Sequence, residues 1–351
     1  MSGSPAPATS APLRLGTRRS ALATTQSRHV ADLVAAGGSA VDLVLVTTHG
    51  DVSTAPLATI GGTGVFVSAL RDALVAGTVE LAVHSLKDLP TAPPDGLVVA
   101  AVPPREDPRD VLVAAGGRTL AELPAGARVG TGSPRRRALL LDARPDLDVV
   151  AVRGNVDTRL AMVHDGALDA VVLAAAGLRR LDRLGEASEL LDPATFVPAP
   201  GQGALAVECR ADDEAVLAVL RGLDDPRTRV AVTAERTLLA ALEAGCSAPV
   251  GAFARVLDGE PARLELRAAV ASPDGTLLRE TAVADLPAAS AEEAAAALGR
   301  DLAARLLPHL TGPAAPSAPR PADDLSSQGS APGSLPGPDR PRAQSDRESG
   351  S

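Results

Sequence analysis

The 351-residue chain has no tryptophan, no tyrosine and only three phenylalanines. Packing therefore falls to Val, Leu and Ala, and almost nothing is left for nucleobases to stack on. Lysine is nearly missing as well: Lys87 stands alone beside 33 arginines. Two cysteines, Cys209 and Cys246, make no disulfide framework, and neither has metal-ligand spacing to the five histidines, so no metal is expected. Positive charge is in deficit, with 34 Lys and Arg against 43 Asp and Glu for a net charge of -9. That balance argues against a chain that coats nucleic acid or anionic lipid. Apolar runs such as VDLVLV at 41–46 fall far short of the roughly 20 residues a membrane-spanning helix needs. The opening MSGSPAPATSAP has neither the basic nor the apolar region of a secretory signal, and a cytoplasmic location is expected.

What is present is an alternation of short apolar strands and helices. LRLGT (13–17), VDLVLVTT (41–48), ELAVHSL (80–86), GLVVAAV (96–102), DVLVAA (110–115), ARVGTG (127–132), DVVAVRG (148–154) and DAVVLAAAG (169–177) read as parallel strands buried on both faces. Ser20, Ser133 followed by Pro134, and Asn155 are helix N-caps, with stops near Gly37, Pro145 and Gly166. This is an α/β layout. Beyond about Asp225 the pattern changes to a helix near 228–244, strands including ARLELRAAVA (262–271) and an alanine-rich helix near 290–307, a smaller α+β domain. Residues 1–12 and the Pro/Ser-rich 313–351 lack an apolar period and read as disordered tails.

Arginine is concentrated where strands turn into helices. Residues 128–180 hold nine arginines against six aspartates, and GTRRS, GTGSPRRR and VRGNVDTR place Arg18, Arg135, Arg136, Arg153 and Arg159 at such turns. Arginine in the first turn of a helix opposes the macrodipole, at about a few tenths of a kcal/mol each. A bound anion would compensate, since free helix N–H groups and guanidinium forks both suit carboxylate or phosphate. One such turn alone reads equally well as solvated surface; three together point to a cleft for a small molecule with several anionic groups. No phosphate-binding loop is present, and GGTG at 61–64 lacks dinucleotide-fingerprint spacing. In LAVHSLKDLP an apolar strand ends in His84, Ser85, Lys87 and Asp88 before Pro90. An aspartate there can accept N–H groups, steady a cation and relay protons, although a solvated Lys-Asp turn is the plainer alternative. Cys246 follows a helix ending at Gly245, where the negative end of the dipole does not favour a thiolate. Cys209 reads as core.

The ordered strings TRRSALA, TTHGD, GGTGVFVSAL, HSLKDLPT, REDPRD, GTGSPRRR, VRGNVDTRL, AAAGLRRL, PAPGQGALAVECR and GCSAPVGA resemble the porphobilinogen deaminase (hydroxymethylbilane synthase) family of tetrapyrrole biosynthesis over about residues 13–312. The resemblance implies two α/β domains of the periplasmic-binding-protein type II kind flanking a cleft, with a smaller α+β C-terminal domain. Domain 1 would be 13–103 with 204–222, domain 2 would be 104–203 and domain 3 would be 223–312. It implies a monomeric transferase that condenses four porphobilinogens head to tail on a covalent dipyrromethane cofactor, releasing ammonia and a linear tetrapyrrole, hydroxymethylbilane. The cofactor would be a thioether on Cys246, a permanent tether that needs no thiolate at each turnover. Asp88 matches the catalytic aspartate, opposite an electrophilic azafulvene formed when the substrate loses ammonia. Arg18, Arg135, Arg136, Arg153, Arg159 and Arg180 match arginines that bind the pyrrole acetates and propionates. Ser20, Thr131 and Ser133 would add neutral donors, Lys87 matches a substrate or cofactor contact, and Phe66, Ser85 and Gln202 match positions near the cofactor. Members often have lysine where Thr63 stands and arginine where His49 stands, and the tail beyond Gly312 is outside the family pattern. A non-catalytic anion sensor of the same fold would keep the arginine turns but has no need of Cys246 or Asp88.

Overall fold

The computed structural model describes residues 11–46, 65–92, 94–243 and 248–310. The two tails, His49, Thr63 and Cys246 lie outside the described residues, as does the side chain of Phe66.

The first sheet is built from β1 (Leu13–Thr17), β2 (Val41–Leu45), β3 (Leu81–Ser85), β4 (Leu97–Ala101) and β10 (Leu205–Arg210), in the order β2-β1-β3-β10-β4. The second holds β5 (Asp110–Ala114), β6 (Arg128–Gly130), β7 (Asp148–Val150), β8 (Ala170–Ala174) and β9 (Glu189–Leu190), in the order β7-β6-β8-β5-β9. The two orders are the same pattern: three parallel strands, then one antiparallel strand brought in by a crossover, then an edge. The chain thus leaves the first sheet after β4, builds the second, and returns as β10. A third sheet is the antiparallel meander β11 (Val250–Leu257), β12 (Arg263–Ala271) and β13 (Leu277–Asp285). This is the expected architecture of two like α/β sheets and a smaller α+β unit.

Two strand expectations are corrected. The runs at 96–102 and 110–115 pair antiparallel: β4 runs in the sense of β3 but lies beside the returning β10, and β5 itself runs against β8 and β9. All of β5 is buried, so its apolar run looks the same whichever way the strand points. The runs at 41–48, 96–102 and 148–154 supply the edge strands β2, β4 and β7, part-exposed rather than buried on both faces.

The helix caps stand where the sequence places them. Ser20, Ser133 and Asn155 accept N–H groups at the starts of α1 (Ala21–Ala36), α3 (Pro134–Ala143) and α4 (Val156–His164). Between them, α2 spans Val65–Val75. The short α5 (Ala175–Arg180) has no side-chain cap. After α6 (Glu214–Leu220), helix α7 (Pro226–Ala241) opens on Asp225 as cap with proline in its first turn. It packs with α8 (Ala291–Leu310) against the third sheet, burying Leu238, Leu266, Leu302 and Leu306.

The two crossovers touch each other. Glu106 donates its N–H to Gly203 O at 3.3 Å, and Arg105 donates Nε to Gln202 O at 2.8 Å. Gly203 has φ +88, and a Cβ there would stand 2.3 Å from Glu106 O, so only glycine lets the segments meet. Among the described residues no helix is long and apolar enough to cross a membrane.

Candidate active site

Most of the predicted site residues sit at the carboxyl ends of strands in the two α/β sheets, where ligands bind in such folds. Beyond β1 come half-buried Arg18 and Ser20, the latter held as the cap of α1 through its Oγ, 3.3 Å from Ala23 N. At the end of β3, Ser85 Oγ accepts Gln26 Nε2 at 3.0 Å. A single 3-10 turn, Leu86–Asp88, follows and leaves Lys87 half-buried and Asp88 exposed. Beyond β6, buried Thr131 accepts the Ser133 N–H at 3.2 Å, and Ser133 caps α3. Arg153 is exposed past β7; Arg159 on α4 donates Nε to Gly154 O at 2.9 Å. Arg180, at the end of α5, donates Nη2 to Gly203 O at 2.8 Å.

Arg135 and Arg136, expected to face an anionic ligand in the cleft, are engaged within the protein. Both are buried against Asp110, the first residue of β5. Arg135 Nη1 lies 2.8 Å from Asp110 Oδ2, and Arg136 donates Nε and Nη2 to Oδ1 at 3.0 and 2.7 Å. Arg135 Nη1 also reaches Val197 O at 2.7 Å, and Arg136 Nη1 reaches Val172 O at 3.0 Å. Gln202 Nε2 adds a further bond to Asp110 Oδ1 at 2.9 Å, while its Oε1 faces Arg136 Nη2 and Lys87 Nζ, each at 3.5 Å. Burial alone would raise the Asp110 carboxyl, but the two guanidiniums outweigh it and hold the group well below the usual carboxylate range.

The cluster is electrostatically lopsided. Lys87, Arg135 and Arg136 converge on one buried carboxylate, and Arg159 is near enough to Arg136 to feel its charge. Burial, then Arg136 and Arg135, pull the Lys87 ammonium down to about 8 against the opposing influence of Asp88 and Asp110. Burial lowers Arg159 and Arg180 from the ordinary arginine value. Buried Arg135 Nε has no hydrogen-bond partner among the described residues. Excess buried cation and an orphaned donor together fit a group bearing carboxylates, as the dipyrromethane expected from the sequence does.

The structure thus brings Lys87, Arg135, Arg136 and Gln202 into one network, with Asp88 beside Lys87. Sequence reasoning missed Asp110 and Glu235. Glu235, wholly buried on α7, takes Arg105 Nη1 at 2.6 Å and Nη2 at 3.1 Å, the Gly201 N–H at 2.6 Å and the Ala254 N–H at 2.8 Å. The REDPRD string was the available signal, since a charged run entering an all-apolar strand has to find partners. Cys209 is buried, and burial pushes its thiol up to about 11, consistent with an inert core residue.

Residues 13–218 match the family described as porphobilinogen deaminase, dipyromethane cofactor binding domain, and residues 230–308 match porphobilinogen deaminase, C-terminal domain. Porphobilinogen deaminase 1 of Streptomyces coelicolor is 59% identical over 302 residues, covering 84% of this chain and 94% of its own. The porphobilinogen deaminase of Thermobifida fusca is 57% identical over 296 residues, covering 83% and 92%. Among solved structures, a YaeC-family lipoprotein of Enterococcus faecalis aligns at 14% identity with a TM-score of 0.37 over 62% of this chain and 93% of its own. With two consecutive family domains and relatives this similar along nearly their whole length, the chain belongs to the porphobilinogen deaminase family.

Proposed function

We propose that this chain condenses four porphobilinogen molecules head to tail into hydroxymethylbilane, releasing an ammonia at each step, with Asp88 as the reacting carboxylate and Cys246 as the cofactor's attachment point. The activity follows from family membership, and the residue roles from the geometry of the site. The observation that carries them is the convergence of Lys87, Arg135 and Arg136 beside the Asp88 turn.

Lys87, Arg135 and Arg136 would hold the dipyrromethane carboxylates, and the orphaned Arg135 Nε has a donor to spare for them. When bound, dipyrromethane supplies the pyrrole carbon from which the product chain is built. Exposed Asp88 can accept pyrrole N–H groups on its carboxylate oxygens and steady the positive charge left when the substrate's C–N bond breaks. It can also take up the proton a pyrrole carbon sheds once the new C–C bond has formed. Arg18, Arg153, Arg159 and Arg180, with Ser20, Thr131 and Ser133, border the strand ends where further acetates and propionates would accumulate. Ser85 and Gln202 serve as supports, the one held by Gln26 and the other by Asp110. The same reading takes the protein as a cytoplasmic monomer with domains at 13–103 plus 204–222, 104–203 and 223–312.

The test is the intact mass of the denatured protein followed by peptide mapping, with turnover measured for Asp88→Asn. Two linked pyrrole units on the Cys246 peptide, absent from Cys246→Ser, are expected. Asp88→Asn is expected to fold and load while turning over roughly 100- to 10,000-fold more slowly. A loaded Cys246→Ser protein or an active Asp88→Asn enzyme would overturn the respective assignment.

A further inference from the structure

The turn bearing Lys87 and Asp88 is gripped from behind by helix α7. Arg236, half-buried on that helix, donates Nη1 to Leu86 O at 3.2 Å and Leu89 O at 3.0 Å, and Nη2 to Pro90 O at 2.6 Å. These three carbonyls bracket Asp88 on both sides along the chain. The turn itself is weakly built: one 3-10 turn of three residues closed by a 3.2 Å bond from Leu89 N to Leu86 O. So short a helix has little stability of its own, and its orientation depends on bonds made to it from outside. On the strand side, Leu86 donates its N–H to Ala204 O at 3.0 Å. On the carbonyl side, Arg236 donates to Leu86 O, Leu89 O and Pro90 O, and its planar fork spans acceptors that a point charge cannot. Behind the turn, Leu86, Thr91, Val232, Arg236 and Thr237 line a cleft, so there is room for the turn to shift if released.

Helix α7 is itself pinned. The neighbouring Glu235 ties it to Arg105 and Gly201 on the two crossovers, and α7 ends five residues before Cys246. One rigid helix therefore sets the position of the Asp88 turn and leads the chain toward the attachment cysteine. We propose that Arg236 is a positioning residue for the reaction, fixing the Leu86–Pro90 turn so that the Asp88 carboxylate stands where the reacting groups meet. The proposal rests on the assignment of Asp88 as the reacting carboxylate.

The experiment compares Arg236→Gln, Arg236→Lys, Asp88→Asn and the Arg236→Gln/Asp88→Asn double variant, all as full-length, cofactor-loaded protein. It reads kcat, KM, intact mass and amide hydrogen exchange by peptide. For Arg236→Gln, kcat is expected to fall roughly 10- to 100-fold, as small misplacements of a reacting group do, with KM and cofactor mass unchanged. Exchange is expected to rise in the peptide spanning 84–92 and to stay native in β11–β13. Added to Asp88→Asn, the Arg236 change is expected to cost about twofold at most, because both act through one carboxylate. Native kcat in folded Arg236→Gln, or losses that multiply in the double variant, would overturn the positioning role. Should the glutamine variant not fold, Arg236→Lys decides: its ammonium cannot span three carbonyls, so a lowered kcat supports the role and a native kcat overturns it. Full activity in Asp88→Asn overturns the functional reading and this proposal together, whereas a slow Asp88→Asn beside a native Arg236→Gln overturns this proposal alone.

Discussion

Gln202 Nε2 donates to Asp110 Oδ1 at 2.9 Å and so joins the returning crossover to the first strand of the second sheet. The same amide nitrogen reaches Pro108 O at 2.7 Å, which turns the amide oxygen toward Arg136 and Lys87. A neutral side chain thus offers donors to a carboxylate and an acceptor to cations. Gln202→Glu would replace the donors with a second carboxylate against Asp110. The expected result is destabilisation by about 1–3 kcal/mol, read as a lower urea midpoint with an unchanged slope. A midpoint at or above the native value would contradict the amide's role.

Among the described residues Asp110 is the carboxylate bonded to both Arg135 and Arg136, so Asp110→Asn leaves two buried guanidiniums without that counter-ion. Removing one partner of a buried pair costs about 3–5 kcal/mol. The folded protein also holds this carboxyl ionised where the unfolded chain protonates it. Its contribution is therefore complete above the ordinary aspartate pKa near 4 and declines as pH falls below that value. Denaturant titrations at neutral and acid pH are expected to show a stability gap between native protein and Asp110→Asn that narrows toward low pH. A gap independent of pH would contradict the ionised state of Asp110.

Lys87 can be followed directly because no other lysine competes. In cofactor-free protein its amine is expected to titrate near 8, so acylation mapped to its peptide should reach half its limiting rate there and not near the ordinary lysine value. Between about 8 and that ordinary value the unfolded chain holds a proton the folded one has lost, so this group's contribution to stability rises with pH. Loading the cofactor brings carboxylates to the ammonium and should move the midpoint upward. A midpoint that stays put on loading would place the carboxylates elsewhere.

Much of this site was legible because capping and turn chemistry are local. Ser20, Ser133 and Asn155 start helices through bonds that span three residues, and the arginine turns follow from strand and cap together. Strand direction was hidden in β5, since a strand buried on both faces is apolar whichever way it runs. The burial of Arg135 and Arg136 was hidden for another reason: their counter-ion sits 25 and 26 residues away, in a charged string that looks solvated when read alone. Arg236 was invisible in the same way, because the carbonyls it grips lie 146 to 150 residues earlier.

The Glu235 carboxylate makes the sharpest case for long-range design in this fold. It is fully buried and accepts four bonds: two from Arg105, one from Gly201 on the other crossover and one from Ala254 in the third sheet. Arg105 in turn lies over the Phe253 ring, 5.5 Å from its centre, so its charge is enclosed on both sides. Glu235→Gln keeps the shape but removes the charge and gives one oxygen position a donor where Arg105 or a backbone N–H needs an acceptor. The buried guanidinium is then uncompensated, and a loss of about 3–5 kcal/mol is expected. Because the bonds lost connect both crossovers to α7, the damage should extend beyond the third sheet. Amide exchange is expected to rise around residues 105 and 201 as well as along α7. If exchange rose in α7 alone, Glu235 would be holding the third unit together without holding it to the crossovers.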